Sequence, residues 1–417
     1  MPPLPESGSD LWVVGAGIGG LALAHAWARH PELSAHRLTL MEQASELAEV
    51  GAGIQLGPNA TRLLRHWGLE SALQELVCVP EAIEAFNARG ELVGRLVLAD
   101  GFEARYGSPY WTLHRADLHR VLLESVKSSG QIALELGHSV ESVHSPASGQ
   151  GLEVHLVGQT QPRRVSGLVA ADGVWSTVRR SHWPHSVWQD TGQVAYRSVV
   201  PMSEVPKPLR GARVGVWMLP KMHVVAYPIR GGQLLNLVVL LEHQGAGLGL
   251  GWDQRPSAHV READFAKALD RCPVQLRDLL ACAPDWQAWP LVAGQPLGRP
   301  EDMTRGLVAL LGDAAHPMLP YMAQGAGMAI EDAHVLVQLA LAQVRSGEWH
   351  LHQWLAQYAQ QRWARCARVQ RKAMRNGHWF HATGWKAWIR DWGLRVQGPR
   401  IMDVPWLYEA SSDAMSP

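Results

Sequence analysis

The stretch LWVVGAGIGGLALAHAWAR, Leu11 to Arg29, decides the fold. Leu11 to Val14 is an apolar run of strand length that enters the glycines Gly15 to Gly20 without a spacer, and Leu21 to Arg29 has the length and alanine content of a buried helix. Arg37 to Met41 then alternates and ends at Glu42. Strand, glycine turn, helix and strand in this order make the βαβ unit of a dinucleotide fold. In Gly15-x-Gly17-x-x-Gly20 the first glycine permits the tight turn, the second lets the backbone approach a pyrophosphate, and the third lets helix and strand pack closely. Ile18 and Gly19 open the helix, whose free N–H groups and partial positive charge favour phosphate. Glu42, 22 positions after Gly20 with Gln43 beside it, is placed to accept hydrogen bonds from a ribose.

The segment GAGIQLGPNA, Gly51 to Ala60, opens a helix from Thr61 to Trp67 that Gly68 stops, and its Gly53 is a second candidate for cofactor contact. Pro80 to Tyr110 reads as short strands, and His114 to Lys127 as a helix with Leu118, Val121, Leu122 and Val126 on one face. Ile132 to Val157 and Arg164 to Ala170 read as strands separated by Gly and Ser turns. Four more strands, Gln193 to Val200, Val214 to Met218, His223 to Ile229 and Leu234 to Leu241, imply a separate antiparallel sheet inserted in the nucleotide domain. The glycine-rich run His243 to Pro256 lacks the spacing of a nucleotide loop and is expected to be a mobile connection. Leu307 to Leu311 is a buried strand, and a long helix starts near Gly325 with Glu331 and Asp332 on its early turns.

Composition removes several function classes. The chain has 417 residues, enough for two lobes sharing a large core. Lys+Arg 38 against Asp+Glu 38 leaves no net charge, so nothing electrostatic points to nucleic acid or an acidic membrane. The four cysteines show no paired spacing, which fits a reducing compartment, and no histidine or cysteine pattern suggests a metal. The N-terminus carries no targeting pattern and no apolar run reaches the ~18 residues of a membrane span, so a soluble cytoplasmic protein is expected. The 19 tryptophans are scattered, although Trp379 to Trp406 concentrates several that either cover an interface or cap the nucleotide lobe, and monomer or homodimer stays open.

Two further segments carry chemistry. ADGVWSTVRR spans Ala171 to Arg180 and GDAAHPMLPYMAQGAGMAIEDA spans Gly312 to Ala333. With GAGIGG they stand in a fixed order along the chain, and together they resemble the class A FAD-dependent aromatic hydroxylases, the group of salicylate hydroxylase, 3-hydroxybenzoate 6-hydroxylase and 6-hydroxynicotinate 3-monooxygenase. The resemblance implies an α/β fold: a Rossmann-like nucleotide domain of the glutathione-reductase type for FAD, an inserted antiparallel-sheet substrate domain, and C-terminal helices. On that basis the FAD-binding domain is expected from residues 1–80, 110–185 and 295–375, the substrate domain from 80–110 and 185–295, and a C-terminal extension from 375–417.

The resemblance also implies residue roles. Asp172, Gly173 and Arg179 are expected beside the FAD pyrophosphate, Asp313 on the ribityl chain, and Arg115 of LHRADLH on FAD. Gly325, Ala326 and Gly327 place a positive helix end at the flavin, where reduction puts negative charge. His316, within the same loop, is read as structural. Pro320 lies in the flavin loop; salicylate and hydroxynicotinate hydroxylases tend to carry Pro there and 3-hydroxybenzoate 6-hydroxylases Gln, so the position hydroxylated stays open. With only one dinucleotide fingerprint, NADH or NADPH is expected to bind transiently, reduce FAD and leave before O2 forms a flavin C4a-hydroperoxide.

That oxidant needs an electron-rich ring, and a phenol becomes one by losing its proton, so the substrate site needs a base or strong acceptor. His223 and Tyr227, four apart in KMHVVAYPIRGG, fall on one face of a strand. The resemblance gives the matching pair the task of orienting and activating substrate. The expected activity is hydroxylation of a small phenolic acid of the salicylate or 3-hydroxybenzoate type. A hydroxynicotinate-like heteroaromatic, a larger aromatic metabolite, or a flavoprotein redox sensor that hydroxylates nothing are the alternatives.

Overall fold

A computed structural model describes residues 9–47, 52–99, 101–146, 150–184, 188–242, 262–283 and 285–409. The run His243 to Pro256 therefore lies outside the described residues. Strand Asp10–Val14 is the hub of a six-stranded sheet, parallel on one side to Arg37–Met41 and on the other to Gly167–Ala170. Val308–Leu310 continues the sheet in parallel beyond Gly167–Ala170, and Ala133–Glu135 beyond Arg37–Met41. This arrangement brings the ends of strands distant in sequence to one edge, where open α/β sheets bind ligands. Helix Ile18–Ala28 is buried along nearly its whole length between helices Arg115–Ser129 and Gly325–Ser346, which explains its all-round apolar and alanine-rich composition.

The second large sheet has seven strands, ordered Gln287–Gly294, Trp188–Pro201, Leu234–Glu242, Met222–Ile229, Arg213–Leu219, Ala82–Phe86, Leu92–Val97. Strands from around residues 80–110 and from 185–295 thus share one sheet. Its outer face packs a core of its own against helices Glu262–Leu269 and Val274–Ala281, through Phe265, Leu276, Leu279 and Leu280. Tyr196 belongs to that outer face and stacks on Phe265 with centroids 4.2 Å apart. The inner face meets the nucleotide part of the chain.

One expectation changes. Within GAGIQLGPNA, expected to lead into a helix, Gly53–Leu56 is a strand, paired antiparallel with Trp111–His114. Its pairing partner, about 60 residues on, is invisible to local pattern. The helix after it runs Pro58–His66 with Pro at its start, and Gly68 follows it. Helix Leu351–Phe380 crosses helix Gly325–Ser346, and helix Gly384–Met402 lies over strand Leu92–Val97. Among the described residues no helix is long and apolar enough to cross a membrane.

Candidate active site

The glycine turn has the geometry its sequence implies. Gly15 has φ +101°, and a Cβ there would lie 2.5 Å from the Ala171 carbonyl oxygen. A Cβ on Gly20 would lie 1.9 Å from the Gly15 oxygen, whereas one on Gly17 would meet no atom within 4 Å. Gly17 therefore borders open space, with a helix N-terminus behind it that no side chain caps. That space is a cleft of ≈ 200 Å³ whose lining includes Gly15, Gly17, Glu42, Gln43, Asp172 and Gly173. The first and second motifs, over 150 residues apart, thus share one cleft. Ile18 and Gly19 serve packing: Ile18 is buried, and a Cβ on Gly19 would strike Leu311.

Glu42 accepts hydrogen bonds from the N–H groups of Ala16 at 2.8 Å and Ala44 at 3.0 Å, which fixes its carboxylate at the cleft edge. Asp172 accepts from the N–H groups of Thr177 and Val178 through Oδ2, and its buried Oδ1 has no partner among the described residues. Burial pushes the Asp172 carboxyl above its ordinary pKa. Arg179 departs from expectation. Its guanidinium turns inward to the carbonyls of Ala314 and Ala315, so it ties the second motif to the third and does not present that nitrogen to the cleft. Burial lowers it to about 10.

Asp313 opens to solvent beside the Gly325 helix end, yet the protein packed around it raises its pKa by desolvation while His316 and Arg115 counteract the rise. Arg115 starts helix Arg115–Ser129, and Gly325 stands with its Cβ position 3.6 Å from the Asp313 Oδ1. The helix begins at Gly325 with no side-chain cap, so the amides of Gly325, Ala326 and Gly327 keep the positive end expected of them. Pro320 begins a short turn, Pro320–Met322, that closes at Ala323 with φ +51°. An uncapped helix end, open space at Gly17 and an orphaned Asp172 oxygen along one cleft fit the pyrophosphate and ribose parts of FAD. Gly53 differs: its N–H donates to Asn236 Oδ1 at 2.7 Å, and a Cβ would strike Tyr227 at 2.6 Å. It is a contact point between the Gly53–Leu56 and Trp111–His114 ribbon and the seven-stranded sheet rather than a cofactor cradle.

His316 is structural, as read. Its Nε2 lies 2.6 Å from Asp332 Oδ2, and Arg362 bridges Asp332 Oδ1 and Glu331 Oε2 at 2.7 Å each. Burial opposes its charge, but Cys366 and Asp332 outweigh that and hold His316 well above the usual range. His316, Asp332 and Cys366 offer atoms within 4.8 Å of one another, yet Arg362 already supplies the cation there.

His223 and Tyr227 share the inner face of the seven-stranded sheet, as their spacing implies. The register lays out that face. Ala195, Leu240, His223 and Met218 form one row; Arg197, Val238, Val225 and Val216 the next; Val199, Asn236 and Tyr227 a third. Leu319, Tyr321 and Phe380 pack over it, with the rings of His223 and Tyr321 4.8 Å apart. His223 is buried, and burial with His381 nearby pushes it well below the usual imidazole range. Tyr227 is raised by burial, with Arg197 and a hydrogen bond from Gln55 pulling the other way. The Gln55 oxygen already accepts from Tyr110 at 2.8 Å, so its amide N–H donates to Tyr227 and leaves the Tyr227 proton available to a ligand.

Sequence reading missed four residues here. Arg197 Nε and Asn236 Nδ2 are buried donors with no partner among the described residues. His381 and Glu242 continue from His223: His223 Nδ1 lies 2.8 Å from His381 Nε2, and His381 Nδ1 lies 2.6 Å from Glu242 Oε1.

The family described as "FAD binding domain" matches residues 9–373. A 3-hydroxybenzoate 6-hydroxylase of Polaromonas naphthalenivorans is 32% identical over 399 residues, covering 95% of this chain and 94% of that protein. 3-Hydroxybenzoate 6-hydroxylase 1 of Aquipseudomonas alcaligenes is 34% identical over 411 residues, covering 96% and 97%. Among solved structures, a salicylate hydroxylase substrate complex superposes with a TM-score of 0.78 at 22% identity, covering 98% of this chain and 97% of that one, a likeness of fold.

Proposed function

The chain belongs to this FAD-binding-domain family and is an FAD-dependent aromatic monooxygenase, and from that premise we propose that it hydroxylates a small phenolic carboxylic acid. The observation that carries the carboxylate is the pair of orphaned buried donors, Arg197 Nε and Asn236 Nδ2, on the face that holds His223 and Tyr227. Leaving a buried donor unpaired costs about 1–3 kcal/mol, more for a charged group, and an anionic acceptor removes that cost at both positions. Two relatives are named for a hydroxybenzoate, which has that carboxylate and a hydroxyl.

When bound, FAD takes electrons from NADH or NADPH and activates O2 for attack on the ring. The protein's residues prepare the ring. Arg197 and Asn236 hold the carboxylate and so aim the hydroxyl along the sheet toward His223. His223, kept neutral by burial, accepts the hydroxyl proton. Tyr227, in the row of Asn236 and beside Arg197, keeps its own proton and donates it in a hydrogen bond to the same carboxylate, with Gln55 behind it. Asp172, Asp313, Arg115 and the Gly325 helix end serve the cofactor, and Arg179 holds their loops in register. Use of a reduced nicotinamide supports a cytoplasmic reaction, since that donor is regenerated there.

The test is NADH and NADPH oxidation by the purified flavoprotein with 3-hydroxybenzoate, salicylate, 6-hydroxynicotinate and the matching primary amides. Stimulated oxidation with stoichiometric hydroxylated product is expected for one of the acids. Arg197→Met should raise KM for that acid at least tenfold, about 1.4 kcal/mol, and leave KM for its amide nearly unchanged. Equal loss for acid and amide removes Arg197 as the carboxylate partner, and no product from any acid overturns the substrate class.

A further inference from the structure

The His223, His381 and Glu242 chain begins at the inner sheet face and ends in solvent. His381 is almost fully enclosed, with 2% of its side chain exposed, whereas 37% of the Glu242 side chain is exposed. His381 is held by two backbone contacts, its N–H donating to Gly377 and its carbonyl accepting from Lys221, and the Lys221 carbonyl in turn accepts from Glu242. The carboxylate fixes every proton in the row. Glu242 only accepts, so His381 Nδ1 carries a proton and its Nε2 lone pair faces His223; His223 Nδ1 then carries a proton, and its Nε2 lone pair is left on the opposite edge of the ring.

We propose that His223, His381 and Glu242 form a proton relay that takes the hydroxyl proton of a buried aromatic acid to the surface, a proposal that rests on the substrate reading above. The step balances. The substrate O–H bond breaks and His223 Nε2–H forms; His223 Nδ1–H passes to His381 Nε2; His381 Nδ1–H passes to Glu242, which releases the proton to water. A phenolate remains, and the reverse sequence returns the proton when product leaves. Without a second base, a buried neutral histidine would keep the proton as an imidazolium in a site whose burial opposes that charge. The charged and titratable groups facing the relay are Lys221 from the preceding turn, His378 from helix Leu351–Phe380, and Tyr321 from the flavin loop, whose hydroxyl is tied to Gln193 at 2.7 Å.

The test uses the oxidised holoenzyme and 3-hydroxy-4-nitrobenzoate, whose phenol and phenolate absorb differently. Stopped-flow mixing with a pH indicator should show phenolate formation coupled to release of one proton by the wild type. Glu242→Gln and His381→Ala should slow that release at least tenfold with less than a threefold change in probe affinity, and added imidazole should restore the His381→Ala rate. The pH profile of release should lose its acid limb in Glu242→Gln. Unchanged release in both variants overturns the relay while leaving the substrate reading in place; a wild type that neither binds nor deprotonates the probe overturns both.

Discussion

Three glycines in six positions have three different constraints, and single substitutions separate them. Gly17 has φ −72°, an ordinary backbone for any residue, and no neighbour within 4 Å of its Cβ position. Gly17→Ala should fold with a melting temperature close to wild type, since changes that touch nothing stay within about 0.5 kcal/mol. Its methyl group instead enters the space the pyrophosphate needs, so FAD affinity should fall at least tenfold, measured by flavin fluorescence titration. Gly20→Ala should do the reverse and destabilise the apoprotein by upwards of about 2 kcal/mol, because the new carbon would overlap the Gly15 oxygen. These constraints were legible because both partners of each contact lie within a few residues or at a strand end. Arg197 was not. It lies in the strand expected from Gln193 to Val200, but its neighbour Tyr196 points to the outer core, and only the register with Val238 shows which of the two faces the site. His381 stands 158 positions from His223, and nothing local marks it.

At the scale of elements, the flavin loop is held by the crossing of helices Gly325–Ser346 and Leu351–Phe380, and the crossing is made of charge. Glu331 accepts from Arg362, Arg365 and Asn59, and although burial opposes its ionisation, the two guanidiniums outweigh burial and lower it to about 2. A carboxyl whose folded value lies below its free value of 4.5 contributes stability that is complete above about pH 4.5 and disappears as pH falls toward about 2. His316 acts oppositely: its raised value gives stability complete below 6.5 and lost as pH rises through that raised value. Glu331→Gln should therefore lower apoprotein stability at pH 7 by about 3–5 kcal/mol and flatten the loss of melting temperature between pH 4.5 and 2. A thermal melt series across that window checks both, and a variant with the wild-type acid slope removes Glu331 from the account. The sequence shows the acidic pair and, from Trp354 to Arg375, a stretch rich in Arg and Gln whose buried side no local pattern marks. Counting arginines cannot separate a solvated row from a buried one such as Arg362, because the difference lies in which helix crosses above it.

For the whole molecule, the chain passes repeatedly between its two large sheets before the cofactor cleft is complete. Strand Asp10–Val14 and the turn after it contribute first, strands Ala82–Phe86 and Leu92–Val97 leave for the other sheet, the Asp172 segment returns, the strands Trp188–Pro201, Arg213–Leu219, Met222–Ile229, Leu234–Glu242 and Gln287–Gly294 leave again, and Asp313 closes the site. The ribbon of Gly53–Leu56 and Trp111–His114, whose Leu56 and Leu113 belong to the core around the six-stranded sheet, meets the seven-stranded sheet through the Gly53 to Asn236 hydrogen bond and the Gly53 to Tyr227 contact. A ligand spanning segments from the beginning, middle and last third of the chain binds only when all are folded, so it stabilises the folded state by mass action. At FAD 100-fold above its dissociation constant the gain is about 2.7 kcal/mol, and for a chain of this length that corresponds to a rise of about 3 °C in melting temperature. Because each sheet contributes strands from separated parts of the chain, the rise should appear in a single transition, whether followed by tryptophan fluorescence or far-ultraviolet circular dichroism. Two transitions, with only one shifted by FAD, would show that the seven-stranded sheet unfolds independently and that the contact at Gly53 does not couple substrate face to cofactor cleft.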